Sequence, residues 1–277
     1  MTPGQRDRRA RTVLACGIWL GVLVVVGVTA DTVAAGLGHV DLAFLRDGPT
    51  NAGRDGGIGP IIGATLWVLV IGVLAAAPPA LAAGITLAEY TDRDGLRLVR
   101  GALDLLAAVP SIVFGLFGLA FFCEALGFGW SVLAGGLTVA LMILPLLVRL
   151  TEAGLRAVPD GYRSAGLALG LPRWLVVVRV LLPQAAPTLA AALMLTVGRV
   201  LAESAVFLYT SGASTRTIDT AFDPGRVLAV HVYLMATEVP GGTARASAAA
   251  LVLLVAVLGS TLLAQAAPGW FFRRAAR

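Results

Sequence analysis

The sequence contains no lysine, and all 21 of its basic residues are arginine. The absence of lysine excludes a P-loop of the form G-x-x-x-x-G-K-[ST], so this chain is not a P-loop ATPase. Charged residues make up only 13% of the chain, whereas a soluble domain contains about 25%. With 58% hydrophobic residues and a mean hydropathy of +0.87, the 277-residue chain is expected to be a polytopic membrane protein with one membrane domain.

Cysteine and histidine are also scarce, with two residues of each. Cys16 opens the first predicted span, and Cys123 ends the third on the opposite side of the membrane. Because a bilayer core is roughly 30 Å thick and the Cα atoms of a disulfide lie within about 7 Å, we expect no disulfide. His39 and His231 lack neighbouring ligands, so we expect no metal site. The net charge of +5 does not indicate nucleic acid, because the arginines flank apolar spans.

Six apolar stretches predict an all-α fold, since about 20 helical residues cross a bilayer. The predicted spans are residues 13–36, 60–89, 101–123, 130–150, 184–210 and 246–267. The first is interpreted as a retained anchor, because its apolar run exceeds the ~7–15 residues of a signal-peptide core. Pro78 and Pro79 predict a kink or break in the second. Gly115 and Gly118 in the third predict close helix packing, and apolar residues at 227–235 predict a short interfacial helix.

The arginine distribution predicts the orientation of the spans. Fifteen arginines lie in segments predicted to be cytosolic, five lie in predicted external loops, and Arg199 lies inside a span. Cytosolic loops carry an excess of basic residues. We therefore expect a cytosolic N-terminal tail at 1–12, a transmembrane domain at 13–268 with its core at about 60–268, and a cytosolic C-terminal tail at 269–277.

The longest charged stretch between two spans runs from Arg149 to Pro183 and contains five arginines. It predicts two short helices at the cytosolic surface. Asp160 can cap the first helix, and Gly170 can end it in a left-handed conformation. Pro172 fits the first turn of the second helix, and Pro183 is expected to stop that helix.

One face of the first of these helices carries mainly small residues, which would let another protein approach. The residues of this face are Tyr162, Ala165, Gly166 and Leu169. The loop at 151–183 resembles the coupling loop of ABC importer permeases, written EAA, three residues, G, nine residues, I, one residue, LP. Gly170 takes the glycine position and Pro183 the final proline, while Ser164 replaces the glutamate and Gly166 the second alanine. An amphipathic hairpin on the membrane surface is the alternative.

Arg199 and Glu203 are charges inside the fifth predicted span. A charge at the bilayer centre costs on the order of 2.5–3.5 kcal/mol. Their four-residue spacing predicts that they share one helix face and can pair, with Thr196 and Thr210 on the same stripe. Guanidinium donors match the geometry of phosphate oxygens. These residues predict an oxyanion path, and a salt bridge that fixes helix packing is the alternative.

Further stretches extend the similarity from about residue 57 to 210. They are residues 57–65, 89–90, 110–119, 144–145, 151–152, 158–159, the coupling loop and 198–205. The segment GRVLAESA at 198–205 is similar to the GR-AIGETA of one family. The chain resembles the PstA-type permease subunit of the phosphate ABC importer.

The resemblance implies a type I permease fold with six transmembrane helices and a cytosolic coupling helix, in a bacterial inner membrane. It implies a second, PstC-type permease, two PstB-type ATPase subunits that bind the ATP, and an external PstS-type phosphate-binding protein. The permease itself would have neither an ATPase site nor a cofactor. Arg199 and Glu203 would act in transport, and the small-residue face with Ser164 and Gly170 would couple to the ATPases.

Three other functions compete with phosphate import. A permease for sulfate, molybdate or phosphonate would use the same architecture. A secondary anion transporter would also use a membrane-buried arginine, but it would not need the coupling-loop spacing and often has inverted repeats. A membrane enzyme is disfavoured, because the spans contain no paired carboxylates, metal-ligand cluster or nucleophile–base pair.

Overall fold

In a computed structural model of the chain, the backbone is described for residues 3–90 and 97–275, and side chains for these ranges except 3–10, 13 and 267–275. The first elements are α1 (Pro3–Leu37), α2 (Leu42–Arg46), the hairpin of β1 (Pro49–Thr50) and β2 (Asp55–Gly56), and α3 (Gly59–Ile85). Next come α4 (Arg97–Ala108), α5 (Ser111–Gly118), α6 (Val132–Arg156), α7 (Asp160–Ala168) and α8 (Arg173–Val176). The last are α9 (Leu182–Leu201), α10 (Ala205–Thr210), α11 (Leu228–Thr237) and α12 (Thr243–Ala275).

Three of the helices continue into a π-helical turn, in which the backbone ladder widens locally. The turns are Thr86–Tyr90 after α3, Leu119–Ala125 after α5, and Val177–Leu181 between α8 and α9. The helix α8 and its turn therefore run directly into α9.

Five helices in the described part are long and apolar enough to cross a membrane. They are Leu14–Leu37, Gly59–Tyr90, Val132–Arg156, Arg173–Leu201 and Thr243–Ala266. The third predicted span is not one straight helix, because α4 and α5 meet at a bend of 91°. Pro110 lies in that bend, where it disfavours a helical residue before it and donates no backbone hydrogen bond. The bent pair supplies the sixth membrane segment of an all-α fold.

At the centre of the bundle, α3 and α6 pack closely against each other at glycine residues. A Cβ atom on Gly72 would lie 2.6 Å from Val139 Cγ1, and one on Gly136 would lie 2.5 Å from Ile71 Cγ2. Small residues let helix backbones approach in lipid, where apolar burial does not drive association.

The helix α5 packs by the same means against α6 and α10. A Cβ atom on Gly118 would lie 2.6 Å from Thr138 Cγ2, and one on Gly115 would lie 3.1 Å from the carbonyl oxygen of Ala205. The prediction that these two glycines serve helix packing is confirmed.

The predicted break at Pro78 and Pro79 is wrong, since α3 continues through both prolines. The predicted interfacial helix exists as α11, and one side of it packs against α12 and α3, while Tyr233 on the other side is 47% exposed. Val230, His231 and Met235 are buried, and the Leu228 N–H donates to Thr65 Oγ1 at 2.9 Å.

Candidate translocation and coupling sites

The fifth predicted span is interrupted near its end. The helix α9 ends at Leu201, and α10 begins at Ala205 after three non-helical residues. In a membrane protein, irregular backbone is tolerated where it is buried in protein or lines a cavity. The interruption at 202–204 is therefore a candidate part of a path.

Glu203 lies in this interruption and caps the helix that follows it. Its side chain is almost fully buried, and its Oε1 accepts hydrogen bonds from the backbone N–H groups of Ala205 at 3.1 Å and Val206 at 3.4 Å. A carboxylate is favoured at this position because the first N–H groups of a helix lack partners and its N-terminus is partially positive.

Arg199 is exposed, and the carboxylate of Glu203 accepts from the backbone of α10 and not from this guanidinium. Within the part of the chain that the structure describes, its guanidinium makes no hydrogen bond or ion pair. The predicted pairing is wrong because the helix ends at Leu201, between the two residues, and the Glu203 carboxylate is hydrogen-bonded to the N-terminus of α10. The five N–H donors of Arg199 remain available to a ligand or to a partner subunit.

Thr196 and Thr210 do not extend an exposed polar stripe from Arg199. Both threonines are fully buried, and their hydroxyls donate to the carbonyl oxygens of Ala192 at 2.9 Å and Val206 at 2.8 Å. In this conformation Arg199 is the polar residue of the predicted stripe that is open to the outside of the chain. A role of Thr196 in the path stays a prediction.

A cavity of about 160 Å³ adjoins the interruption. Its lining residues come from the start and middle of α10, from α11 and from Ser204: Ser204, Ala205, Leu208, Val230 and Tyr233. The cavity is mainly apolar, with a serine hydroxyl and a tyrosine as its polar side chains. It therefore provides space beside the irregular backbone and little charge of its own.

The coupling loop folds into α7 and α8, with the expected turn between them. Gly170 has φ of +74°, which confirms the predicted left-handed residue after α7. The predicted cap is wrong by one residue, since Pro159 is the N-cap and Asp160 lies in the first turn. Pro172 likewise is the N-cap of α8 and precedes its first turn.

Pro183 does not stop the second helix, contrary to prediction. It occupies the first turn of α9, directly after the π-helical turn Val177–Leu181. A proline is tolerated in the first turn of a helix, where its missing N–H would lack an intrahelical partner. The coupling loop is thereby continuous with a membrane span.

The predicted docking face of α7 divides into two parts. The side chain of Leu169 is 79% exposed and that of Tyr162 is 43% exposed, and Ser164 and Ala165 are exposed beside them. Gly166 instead is buried, and a Cβ atom there would lie 2.9 Å from Val176 Cγ2. Gly166 thus allows α7 to pack on α8, and the other residues leave an open surface.

Residues 80–277 match the family described as "Binding-protein-dependent transport system inner membrane component". This region contains the bent pair, the coupling loop and the interruption after α9. The chain belongs to this family of permeases. It is the membrane component of such a system and is not its ATPase.

Curated relatives are similar over most of the permease. The probable ABC transporter permease protein YqgI of Bacillus subtilis is 30% identical, over 87% of this chain and 88% of that protein. The phosphate transport system permease protein PstA of Mycobacterium leprae is 34% identical, over 76% of this chain and 70% of that protein. PstA of Xylella fastidiosa is 30% identical, over 69% and 67%.

Solved structures support the type I ABC importer permease fold. A chain of a bacterial alginate ABC transporter, bound to its periplasmic protein, has a TM-score of 0.64 at 14% identity, covering 94% of the permease and 93% of that chain. A chain of the inward-facing MetNI methionine transporter has a TM-score of 0.57 at 18% identity, covering 76% and 94%. At such identities the likeness concerns the fold alone.

Sequence reasoning missed two ionic clusters at the ends of α3 and α6. Arg163 Nη2 lies 2.6 Å from Glu89 Oε1, and this hydrogen bond raises the pKa of Arg163 above its ordinary value. The second cluster surrounds the buried carboxylate of Glu152, which pairs with Arg100 at 2.9 Å and with Arg156 at 3.1 Å. The sequence offered one weak signal, an acidic residue at the end of each of the two spans, but it did not indicate which distant arginine pairs with it.

Proposed function

We propose that this permease forms half of the translocation path of an ATP-driven importer of inorganic phosphate, as a PstA-type subunit. The observation that carries the proposal is the exposed guanidinium of Arg199, which has no partner among the described residues and lies beside the interruption between α9 and α10. The similarity to PstA proteins supports phosphate as the anion.

The chemistry of Arg199 suits a transient phosphate site. Its planar donors form a fixed fork that matches two oxygens of one phosphate, whereas a lysine ammonium acts as a point charge. Glu203 remains nearby but is held by the N-terminus of α10, so it does not neutralise Arg199 directly. In the proposal its negative charge keeps the affinity of the path moderate, which allows the anion to leave. Thr196 is assigned to the same path in conformations that uncover it.

The proposal also assigns the partners. A related PstC-type permease completes the path, and an external PstS-type protein delivers phosphate. Two PstB-type ATPase subunits bind ATP and dock on the exposed part of α7 around Tyr162, Ala165 and Leu169. The chain lies in a bacterial cytoplasmic membrane with both termini in the cytosol, and it needs no cofactor of its own.

The test is uptake of labelled phosphate by the complete complex in proteoliposomes, with external binding protein and internal ATP. We expect uptake to require ATP and to resist competition by sulfate, molybdate and phosphonate. Equal competition by one of these anions would contradict the assignment of phosphate. Uptake that continues without ATP, driven by an ion gradient, would instead support the secondary transporter.

A further inference from the structure

The end of α3 that faces the coupling loop is the π-helical turn Thr86–Tyr90. Two acceptors project from this turn, namely the carboxylate of Glu89 and the backbone carbonyl oxygen of Leu87. Arginines from three other elements donate to these acceptors, and they are Arg163 of α7, Arg156 of α6 and Arg100 of α4. The turn is therefore linked to the coupling helix, to a central span and to the bent pair.

Arg163 makes the link to the coupling helix through both carboxylate oxygens of Glu89. Its Nε lies 3.2 Å from Oε1 and 3.1 Å from Oε2, and its Nη2 lies 2.6 Å from Oε1. The same guanidinium donates to the carbonyl oxygens of Leu155 and Val158, each at 2.7 Å. With side chains of Glu89 and Arg163 only 11% and 20% exposed, the geometry is fixed and little screened by solvent.

The apolar packing near this link is made by α8 and its π-helical turn and not by α7, since Ile85 and Ala88 pack against the cluster that contains Val176, Val177 and Leu181. The helix α7 packs mainly on α8 and on the π-helical turn that follows it. Between α7 and the end of α3 lies a cavity of about 280 Å³, lined in part by Glu89, Arg163, Leu167 and Arg173. The ion pair crosses the edge of an open cleft and joins α7 directly to the end of α3, beside the indirect apolar connection through α8.

On the other side of the turn, the backbone carbonyl of Leu87 connects the turn to α4. Its carbonyl oxygen accepts from Arg156 Nη2 at 3.1 Å and from Arg100 Nη2 at 3.3 Å. Both arginines also pair with Glu152, and Arg149 adds a contact to Asp104 of α4. A displacement of the turn Thr86–Tyr90 would therefore act directly on the bent pair.

We propose that Glu89 and Arg163 are positioning residues that transmit movement of α7 to α3 and α4. The inference rests on the proposed function in one respect, because a docked ATPase must move α7. Neither side chain needs to touch phosphate or nucleotide. Loss of their pairing should leave the ATPases bound and active while transport becomes inefficient.

The experiment compares Glu89→Gln, the charge exchange Glu89→Arg with Arg163→Glu, and Asp160→Asn as the matched control. Asp160 is the other acidic partner of Arg163, at 3.2 Å, but it is 96% exposed. Three quantities are measured on the complete complex in proteoliposomes, namely co-purified ATPase subunit, ATP hydrolysis, and phosphate taken up per ATP hydrolysed.

We expect Glu89→Gln to lower uptake per ATP severalfold, because movement of α7 would no longer be transmitted through this ion pair. The amount of co-purified ATPase subunit should be unchanged. The charge-exchange variant Glu89→Arg with Arg163→Glu should recover part of the uptake per ATP. The control Asp160→Asn should have the same uptake per ATP as the wild-type complex. A merely structural role would reduce assembly and leave the ratio of the assembled complexes constant.

The inference is overturned if Glu89→Gln leaves uptake per ATP unchanged, or if its effect is fully explained by lost ATPase subunit. A failure of the proposed function has a different signature. In that case the wild-type complex hydrolyses ATP and takes up sulfate or another oxyanion in place of phosphate. Uptake per ATP hydrolysed is then compared between the variants with that anion.

Discussion

Arg199 and Glu203 lie four residues apart in the chain, but the end of α9 at Leu201 separates their roles. The acid is buried and binds the first N–H groups of α10, whereas the guanidinium is exposed and unpaired within the described residues. Because their environments differ, substitutions at the two positions should affect different properties of the permease.

Replacing Arg199 should reduce transport without reducing assembly. A hydrogen bond to a charged group contributes about 1.5–3 kcal/mol, so Arg199→Ala should lower phosphate uptake by about 10–100-fold. Arg199→Lys keeps the charge and loses the paired donors, and an intermediate rate is expected. The measurement is initial uptake at equal amounts of assembled complex in proteoliposomes.

Leu195→Ala provides the matched control for Arg199, since Leu195 is 48% exposed on the same helix one turn earlier. Its uptake should stay close to that of the unvaried complex. Unchanged uptake in Arg199→Ala, with the control also unchanged, would remove Arg199 from the transport path.

Replacing Glu203 should affect stability according to whether an acceptor oxygen is retained. Glu203→Gln keeps an oxygen for the N–H groups of Ala205 and Val206, so the thermal midpoint in detergent should change little. Glu203→Ala leaves those donors without their cap and should cost about 0.5–2 kcal/mol. Equal destabilisation by both variants would show that the charge, and not the cap, is what matters there.

The sequence predicted the membrane segments and the turn at Gly170, but its proline and capping signals misplaced several helix ends. Apolar length located the membrane segments, and Gly170 was assigned its left-handed turn because glycine adopts positive φ without a steric cost. The 91° bend at Pro110 was not predicted, since prolines alone do not decide the outcome: those at 78 and 79 leave α3 continuous. Tertiary packing decides between these outcomes.

The ionic contacts depend on residues distant in the chain and could not be read from spacing. Arg163 and Glu89 are separated by 74 positions, and Arg100 and Glu152 by 52. The i, i+4 rule was applied to Arg199 and Glu203, but it holds only while both residues stay on one helix. A buried carboxylate at a span end among arginines is the pattern that would have indicated the two clusters.

The stability of the folded permease should decrease between about pH 6.5 and pH 4 because of His231. Burial, and secondarily the nearby charge of Arg226, lower the pKa of His231 to about 4. The unfolded histidine has a pKa near 6.5, so between these values the unfolded state binds more protons and is favoured as pH falls. Above about pH 6.5 the contribution is fully present.

The measurement for His231 is the thermal midpoint in detergent at several pH values from 7.5 to 4. His231→Phe cannot take up a proton and should flatten the decrease in this range. It also removes a buried Nδ1 that has no hydrogen-bond partner within the described part of the chain. His39→Phe is the control, since His39 is exposed, and it should leave the pH dependence as it was. An unchanged slope in His231→Phe would assign the decrease to other groups.

Packing between α7 and α8 should be sensitive to a single added methyl group at Gly166. Its Cβ would lie 2.9 Å from Val176 Cγ2, and overpacking of a filled site costs about 1–3 kcal/mol. We therefore expect Gly166→Ala to lower the thermal midpoint and ATPase co-purification together, because the exposed residues of α7 would shift. Val176→Ala makes room for the added methyl group. The double variant should therefore lose less stability than the sum of the losses of the two single variants. Additive losses in this double-mutant cycle would show that the two side chains do not compete for the same space.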